Sequence, residues 1–301
     1  MIYSKTKETM KKLLIIGCLI SFLISCHNPN SDKAECYKLI SYLDINIDST
    51  GRLPQTPYIV DLEKGNKHLI VIGTLHSRDT CDQMFTDIEK IFANMEPEVA
   101  INEGGEVSKT YSDRNSAIKN NGEIGLLKFL CDKQQIKMIN GDMPDDAEFE
   151  ELAKNYSKDE ALFFFASERF ILPFTYWGES GNLDSLYKSD FIEGYLEPCG
   201  IELTTEEKEF SYYQYLYKKY YKKDFNIDSI CSDNFSPIRN NGHFCEVARK
   251  SKELRDQYLL HQIEEQLTNH DKVLVIFGGW HVLAIEPALT QIINKKGIQK
   301  K

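Results

Sequence analysis

Two histidines end glycine-containing turns that each follow a short, mostly apolar run of the chain. The first turn is Gly73-Thr74-Leu75-His76 and follows residues 68–72. The second is Gly278-Gly279-Trp280-His281 and follows residues 273–277, near the other end of the sequence. Each run has the length and β-branched content of a buried strand. Ligands bind beyond the carboxyl ends of strands in open parallel sheets, so we expect the fold to bring both imidazoles to one site.

Two carboxylates occupy similar positions after two further candidate strands. Glu103 directly follows residues 98–102, and Asp142 comes shortly after residues 136–140. A carboxylate at such a strand end can bind a ligand or act in catalysis. The alternative is a structural role in a turn or a helix cap, and a Gly-Asp pair such as the one ending at Asp142 is common in turns.

Histidine and carboxylate side chains together suit two kinds of chemistry. As metal ligands they form a borderline-to-hard set that suits Zn, Mn or Co. Without a metal, one histidine can take a proton from water while a carboxylate orients it, as in a metal-free hydrolase. His76 taken alone has a structural alternative, a hydrogen-bonded histidine at a strand end. The matching His281 favours a functional role for both.

Arg255 lies in a predicted long helix that precedes the last strand. A guanidinium group can hold a carboxylate or a developing oxyanion in a bidentate manner. The alternative is a surface salt bridge, which is the ordinary role of an arginine on an amphipathic helix.

Five glycines next to these candidate residues can let a ligand approach the backbone closely. They are Gly73, Gly104, Gly105, Gly278 and Gly279. We expect these positions, together with Asp142, to contribute to ligand binding.

The elements that must position these residues follow from hydrophobic periodicity. The candidate buried strands are 68–73, 98–102, 136–140 and 272–277. Between them, residues 82–95 and 121–133 carry apolar side chains at helical spacing. This alternation predicts an α/β fold with a central, mostly parallel sheet flanked by helices.

The middle of the chain, about residues 145–245, has no clear strand pattern and predicts a helical insertion that could cover the strand ends. Residues 246–268 predict a long helix that leads into the last strand, and 284–293 a closing helix. With this insertion, residues 56–301 are expected to form a single α/β domain, which is long enough to bury a full core.

The first residues of the chain predict its compartment. A basic start, a short apolar stretch and the tetrapeptide Leu23-Ile24-Ser25-Cys26 describe a lipoprotein signal peptide over residues 1–25. The apolar stretch is too short to span a membrane as a helix. We expect Cys26 to become the lipidated first residue and residues 26–55 to include a tether. An ordinary cleaved signal peptide and an unlipidated anchor are the alternatives.

The charge of the chain excludes some partners. The formal net charge is −10, and removal of the signal peptide makes it more negative. Nucleic acids and anionic lipid surfaces are bound by clustered Lys and Arg, so neither is an expected partner of this domain. The sequence also lacks a P-loop, a dinucleotide fingerprint and a His-Glu-x-x-His motif.

The cysteines of the chain do not have the spacing of a structural metal site. Apart from Cys18 and Cys26, six cysteines remain and none forms a Cys-x-x-Cys pair, so a structural zinc site is not expected. Outside the cytoplasm some can form disulfides, and we expect Cys199, Cys231 and Cys245 to be the participants.

The candidate motifs resemble those of the TraB/TIKI family, also called GumN-like, which belongs to a wider group with erythromycin esterase-like and ChaN-like proteins. The resemblance covers about residues 67–295, and its two ends match best. The motifs, in order, are Gly-Thr-Leu-His at 73–76, Asn-Glu-Gly-Gly at 102–105, Leu-Arg-Asp-Gln-Tyr-Leu at 254–259 and Gly-Gly-Trp-His at 278–281.

This resemblance implies a central sheet with helical embellishments and one pocket lined by His76, Glu103 and His281. It also places Arg255 in a helix similar to the family's Arg-Asp-containing helix. Metal-dependent peptidase activity is attributed to the animal TIKI branch, esterase activity to a related branch and haem binding to another. The middle of this chain does not follow the family, which leaves the substrate class open.

Together, these features predict a hydrolase of the bacterial cell envelope, anchored by lipid and facing away from the cytoplasm. His76, His281 and Glu103 are expected to bind a divalent metal (Mn, Co or Zn). His76, Glu103 and Arg255 are expected to take part in cleaving a peptide bond, or less readily an ester. The alternative is a non-catalytic lipoprotein that binds haem, a peptide or a small molecule. A third interpretation is a partner-binding protein whose histidines are structural.

Overall fold

The computed structural model describes residues 36–104, 108–176 and 180–297. The predicted signal peptide at 1–25, the predicted lipidation site Cys26 and the candidate ligand-binding residue Gly105 lie outside the described residues.

A five-stranded mixed sheet forms the centre of the fold, with strand order β1-β2-β5-β3-β4. β1 pairs with β2 in an antiparallel manner, whereas β2, β5, β3 and β4 are parallel neighbours. The strands are β1 (Tyr58–Lys64), β2 (Lys67–Thr74), β3 (Val99–Asn102), β4 (Lys137–Asn140) and β5 (Lys272–Gly278). The predicted α/β fold with a mostly parallel sheet is therefore confirmed.

The four parallel strands are the four that their apolar runs predict, whereas β1 was not predicted. In β1 only Val60 is buried, because the strand lies at the edge of the sheet and most of its side chains are wholly or partly exposed. Such a strand has no continuous apolar run, which is the signal of a strand covered on both faces.

Helices cover both faces of the sheet. Leu69 and Val71 of β2 join one apolar core, and Ile70 and Ile72 join the other, since successive side chains of a strand point to opposite faces. The first core contains side chains of α8 (His243–Asn269) and α9 (Gly279–Lys296), and the second contains side chains of α1 (Gln83–Met95) and α2 (Arg114–Gln134). Full burial of each such side chain stabilises the fold by about 1.5–3 kcal/mol.

Helix α2 is broken in its middle, and the break lies beside the loop that carries His76. Gly122 has φ +53°, a left-handed conformation that glycine adopts without a steric penalty. A Cβ at Gly122 would lie 2.7 Å from the backbone oxygen of Ser77. The glycine therefore lets the next residue, Glu123, come close to His76.

The predicted helical insertion has a core of its own, dominated by aromatic side chains such as Phe163, Phe165 and Tyr213. Among the described residues between β4 and β5, the structure has no strand. The helices of this region are α3 (Asp145–Asn155), α4 (Lys158–Ala166), α5 (Leu172–Tyr176), α6 (Leu183–Leu186) and α7 (Phe210–Tyr221), with π-helical stretches at Ser167–Ile171 and Tyr187–Leu196 and 3-10 turns at Ile227–Ser229 and Ser232–Phe235.

Helix α8 joins the insertion to the sheet. Near its N-terminus, Phe244 and Val247 belong to the aromatic core, whereas Leu259 and Ile263 belong to a core of the sheet. The stretch between these apolar ends, residues 251–256, contributes three buried polar or charged residues. This polar stretch of α8 faces the candidate site described below.

The segment preceding β1 differs from the expected tether. Residues from Tyr37 onward belong to one compact unit, and Tyr42, Ile45 and Leu53 are buried. Their apolar side chains pack with Leu283 and Ala284 of α9. This part of the predicted tether is therefore part of the folded domain, whose start lies upstream of residue 56.

The six cysteines from Cys36 to Cys245 are free thiols, so the expected disulfides among Cys199, Cys231 and Cys245 are not formed. Cys245 is instead buried and donates to the backbone oxygen of Asp233. Within the described part of the chain, no helix has the length and apolar character needed to cross a bilayer.

Candidate functional site

The strand order brings the predicted site residues to one edge of the sheet. His76 follows β2, Glu103 follows β3 and Asp142 follows β4, each just beyond the carboxyl end of its strand. His281 lies in the first turn of α9, which begins directly after β5. Because β5 pairs with both β2 and β3, the two Gly-x-x-His segments are neighbours and Glu103 lies next to them.

A cavity of about 790 Å³ opens at this edge. Of the predicted site residues, His76, Glu103, His281, Gly278 and Gly279 line it. The predicted site residues Gly73, Gly104, Asp142 and Arg255 are absent from its wall. The remaining wall is mainly apolar and includes Leu75, Leu172, Pro173, Tyr176, Phe235, Pro237, Ile238 and Trp280.

The imidazole of His281 is buried and held by a buried carboxylate. Its Nδ1 lies 2.5 Å from Oδ1 of Asp256 on α8, and its Nε2 lies 3.6 Å from Oε1 of Glu103. Burial lowers the pKa of His281 well below its usual value, and the positive charges of Arg255 and Lys252 lower it further. Burial also raises the pKa of Asp256 well above its usual value. His281 is therefore uncharged at neutral pH.

Tyr42 completes the surroundings of the Asp256–His281 pair. Its hydroxyl donates to Oδ2 of Asp256 at 2.9 Å and lies 3.1 Å from Nδ1 of His281. The two rings meet edge to face, with centroids 6.1 Å apart. Burial, and then the neighbouring Asp256, raise the pKa of Tyr42 well above its usual value, so the phenol keeps its hydrogen.

His76 has a similar arrangement on the other side of the cavity. Its Nδ1 lies 2.6 Å from Oε1 of Glu123, a buried residue on α2, while its own side chain is 68% exposed. The hydrogen bond that His76 donates to the Glu123 carboxylate raises the pKa of His76 to about 8. The two histidines thus differ at neutral pH: His76 is largely protonated and His281 is neutral.

Glu103 is fixed by contacts at both of its carboxylate oxygens. Oε1 accepts from Nη2 of Arg255 at 2.9 Å, and Oε2 accepts from the backbone N–H of Gly278 at 2.5 Å. A Cβ at Gly278 would lie 2.9 Å from Oε2 of Glu103, so this position requires glycine for the close approach. The second Gly-x-x-His segment therefore positions Glu103 as well as His281.

Arg255 is a buried clamp within the protein. Its Nε and Nη2 donate to Asp142 at 2.7 and 2.6 Å, and Nη2 also contacts Glu103. Burial disfavours the charge of both partners, yet the pairing raises the pKa of Arg255 well above its usual value and lowers that of Asp142. The guanidinium thus binds two carboxylates of the chain itself. The interaction is buried, unlike the surface salt bridge that the sequence allows as an alternative. Arg255 is also absent from the cavity wall and therefore is not placed to contact a ligand there.

A second cation from α8 does line the cavity. Lys252 is 16% exposed at its side chain, and its Nζ lies 3.1 Å from Oε1 of Glu168. Burial alone would raise the pKa of Glu168, but Lys252, Arg169 and Arg255 lower it to about 2, so this carboxylate is charged.

Sequence reasoning missed the residues that orient the two imidazoles. Asp256 follows Arg255 in the same helical motif, but the sequence alone does not indicate a role for it. Glu123 follows the break in α2 at Gly122, and Tyr42 lies in the segment expected to be a tether, so local pattern gives no signal for either. Each depends on a partner distant in sequence.

The donor chemistry fits the predicted metal, although the ligands are not assembled around one point. Metal-bound histidines commonly bond their other ring nitrogen to a carboxylate, as both Nδ1 atoms do here. The separation of 3.6 Å between Nε2 of His281 and Oε1 of Glu103 is short enough for both to bind one ion. Across residues 36–104, 108–176 and 180–297, however, no three His, Cys, Asp or Glu side chains form a group that could hold a metal.

Comparison with protein-family models and with curated proteins found no match to this chain. The TraB/TIKI resemblance therefore stays a prediction that rests on the motif residues.

We predict that Glu123→Gln lowers the pKa of His76 from about 8 towards the usual histidine value of about 6.5. The substitution removes the charge and the charge-assisted hydrogen bond that favour the imidazolium. An NMR titration of the histidine ring protons measures the change. Glu63→Gln, which removes an exposed carboxylate beside His68, is the control and should leave His76 at about 8. An unchanged titration of His76 in Glu123→Gln would contradict the assignment.

Proposed function

We propose that this chain is a hydrolase of the bacterial cell envelope, dependent on a divalent metal, and that the cavity at His76 and His281 is its active site. One observation carries the proposal. Each imidazole bonds a buried carboxylate through Nδ1, which leaves Nε2 for the cavity, and Glu103 lies beside one of them. This arrangement fixes both rings for metal binding or for proton transfer.

His76, His281 and Glu103 would hold the metal, with Mn, Co and Zn as the suitable ions. A bound metal supplies a water of lowered pKa and polarises the bond to be cleaved. Since the three side chains do not form a ready group, His76 is the one expected to adjust, because its side chain is exposed whereas His281 and Glu103 are held on several sides.

The residues of the chain have separate tasks in this proposal. If the site works without a metal, neutral His281 can instead accept a proton and protonated His76 can donate one, since their environments move the two pKa values apart. Glu103 orients water or the metal, and Arg255 holds Glu103 in place. Lys252, a cation of the cavity wall that also pairs with Glu168, would stabilise a developing negative charge in place of Arg255.

The cavity suits a small organic substrate with apolar groups. Its volume of about 790 Å³ falls within the usual range of ligand pockets, roughly 300–1,000 Å³. Trp280, Tyr176 and Phe235 give it aromatic walls. We propose a peptide bond as the bond cleaved, with an ester as second choice, following the resemblance of the motifs.

A second candidate function is a non-catalytic lipoprotein that binds haem, a peptide or a small molecule in this cavity. The observation that favours it is that both oxygens of Glu103 already accept hydrogen bonds within the protein. Haem addition distinguishes this candidate, since a Soret band that depends on His76 or His281 would support it.

We propose that Cys26 carries the lipid that anchors the chain to the membrane, with the domain outside the cytoplasm. The tetrapeptide ending at Cys26 motivates the proposal. Cys26→Ser should move the chain from the membrane to the soluble fraction and abolish labelling by palmitate. Labelled, membrane-bound Cys26→Ser protein would contradict it.

We predict that His76→Ala lowers hydrolysis by at least about a hundredfold, since general acid–base catalysis alone contributes roughly that much. The measurement is turnover of a peptide library by the purified chain with Mn, Co or Zn, followed by mass spectrometry. Thermal unfolding should change little, because the side chain of His76 is mostly exposed.

His243→Ala is the matched control for this experiment. His243 also bonds a carboxylate, at 2.5 Å from Glu160, but it is absent from the cavity wall. Its loss should leave turnover unchanged. Full activity of His76→Ala, or an equal loss in both variants, would refute the assignment of the active site.

A further inference from the structure

Tyr42 contacts both members of the Asp256–His281 pair, although it comes from the segment before the first strand. It is 1% exposed, and its hydroxyl lies within hydrogen-bond distance of Asp256 Oδ2 and His281 Nδ1. A phenol has one hydrogen to donate and can accept through its oxygen. Which of its two neighbours receives that hydrogen determines what the imidazole can do.

The hydroxyl hydrogen is directed to Asp256. The bond from the Tyr42 hydroxyl to Oδ2 of Asp256 is 2.9 Å long, shorter than the 3.1 Å contact with Nδ1 of His281. With its hydrogen used, the Tyr42 oxygen can only accept from Nδ1. Oδ1 of Asp256, at 2.5 Å, is another neighbour of Nδ1 able to accept. Two acceptors at one ring nitrogen favour a hydrogen on that nitrogen.

The other ring nitrogen faces a competing acceptor. Oε1 of Glu103 lies 3.6 Å from Nε2 of His281 and would favour a hydrogen there instead. A hydrogen on Nε2 would block that nitrogen as a metal ligand and as a proton acceptor. The contacts at Nδ1 must therefore outweigh the influence of Glu103.

We propose that Tyr42 is a positioning residue that holds His281 in the tautomer with its hydrogen on Nδ1, so that the lone pair of Nε2 faces the cavity. The segment Tyr37–Leu53, which carries Tyr42, therefore contributes to the function of the site. The tautomer of His281 does not depend on the proposed hydrolase function. Its effect on turnover does rest on that function.

The contacts on either side of Tyr42 attach this segment to the two helices that carry its partners. The backbone N–H of Tyr37 donates to the side-chain oxygen of Gln257 on α8 at 2.9 Å, and the side-chain nitrogen of Gln257 donates to the backbone oxygen of Tyr37 at 2.7 Å. The backbone of Ile40 donates to Ala284 of α9 at 2.9 Å. Trp280 of α9 donates to the backbone oxygen of Gly51 at 2.8 Å. These contacts fix the hydroxyl relative to both Asp256 and His281.

The test is the tautomer of His281 in the full chain without metal or substrate. Histidine labelled with nitrogen-15 gives well-separated NMR signals for protonated and unprotonated ring nitrogens, and His281→Gln assigns the signals of His281. We expect the native chain to have hydrogen on Nδ1 alone. In Tyr42→Phe we expect a shift towards hydrogen on Nε2, because the ring remains while the second acceptor is lost.

Tyr37→Phe is the matched control, since it removes another hydroxyl of the same segment, one that bonds Glu264 away from the cavity. It should leave the tautomer of His281 unchanged. Hydrogen on Nε2 or on both nitrogens in the native chain would overturn the proposal even if Tyr42→Phe failed to fold. An unchanged Nδ1 tautomer in folded Tyr42→Phe would also overturn it.

A kinetic readout separates positioning from simple structural support once a substrate is turned over. Tyr42→Phe should lower kcat about tenfold and leave KM within about twofold, as for loss of one hydrogen bond to a reacting group. Tyr37→Phe should change neither. A rise in KM with unchanged kcat in Tyr42→Phe would assign the hydroxyl to substrate binding and overturn the positioning role.

Discussion

The buried ion cluster at Arg255 is the constraint on which the site depends. A guanidinium removed from water is tolerated only when carboxylates and hydrogen bonds surround it, and removal of one partner leaves an uncompensated buried charge. Asp142 and Glu103 supply those partners from the ends of β4 and β3. Arg255 lies on α8, between the part of that helix in the aromatic core and the part on the sheet. The cluster therefore sets the position of the insertion and of the strand ends together.

Around this cluster, each of the two histidines is paired with a buried carboxylate. His281 and His76 face the same cavity, and each is held through Nδ1 by a carboxylate from a helix, Asp256 on α8 and Glu123 on α2. The surroundings differ: His281 is buried and lies near the positive charges of Arg255 and Lys252, whereas His76 is exposed and bonds the carboxylate of Glu123. One residue type thus provides a neutral and a charged group at the same pH.

The local part of this arrangement could be predicted from sequence, and the non-local part could not. Apolar runs and helical periodicity predicted the four parallel strands, and glycine turns after them predicted His76 and His281 at the sheet edge. The partners of these histidines depend on contacts between residues far apart: Glu123 is 47 residues from His76, and Tyr42 is 239 residues from His281. No local pattern encodes such pairing. The segment before β1 has the mixed polarity of a linker, although its few apolar residues pack on α9.

The central claim is that the two Gly-x-x-His segments form one metal site, and calorimetric titration of Mn, Co and Zn tests it most directly. The purified chain is titrated alongside His76→Ala and the control His243→Ala. The account predicts stoichiometric binding by the native chain and by His243→Ala, lost in His76→Ala, and weaker below pH 8 because His76 must release its proton. Absence of binding by the native chain, or equal binding by His76→Ala, would contradict the metal site.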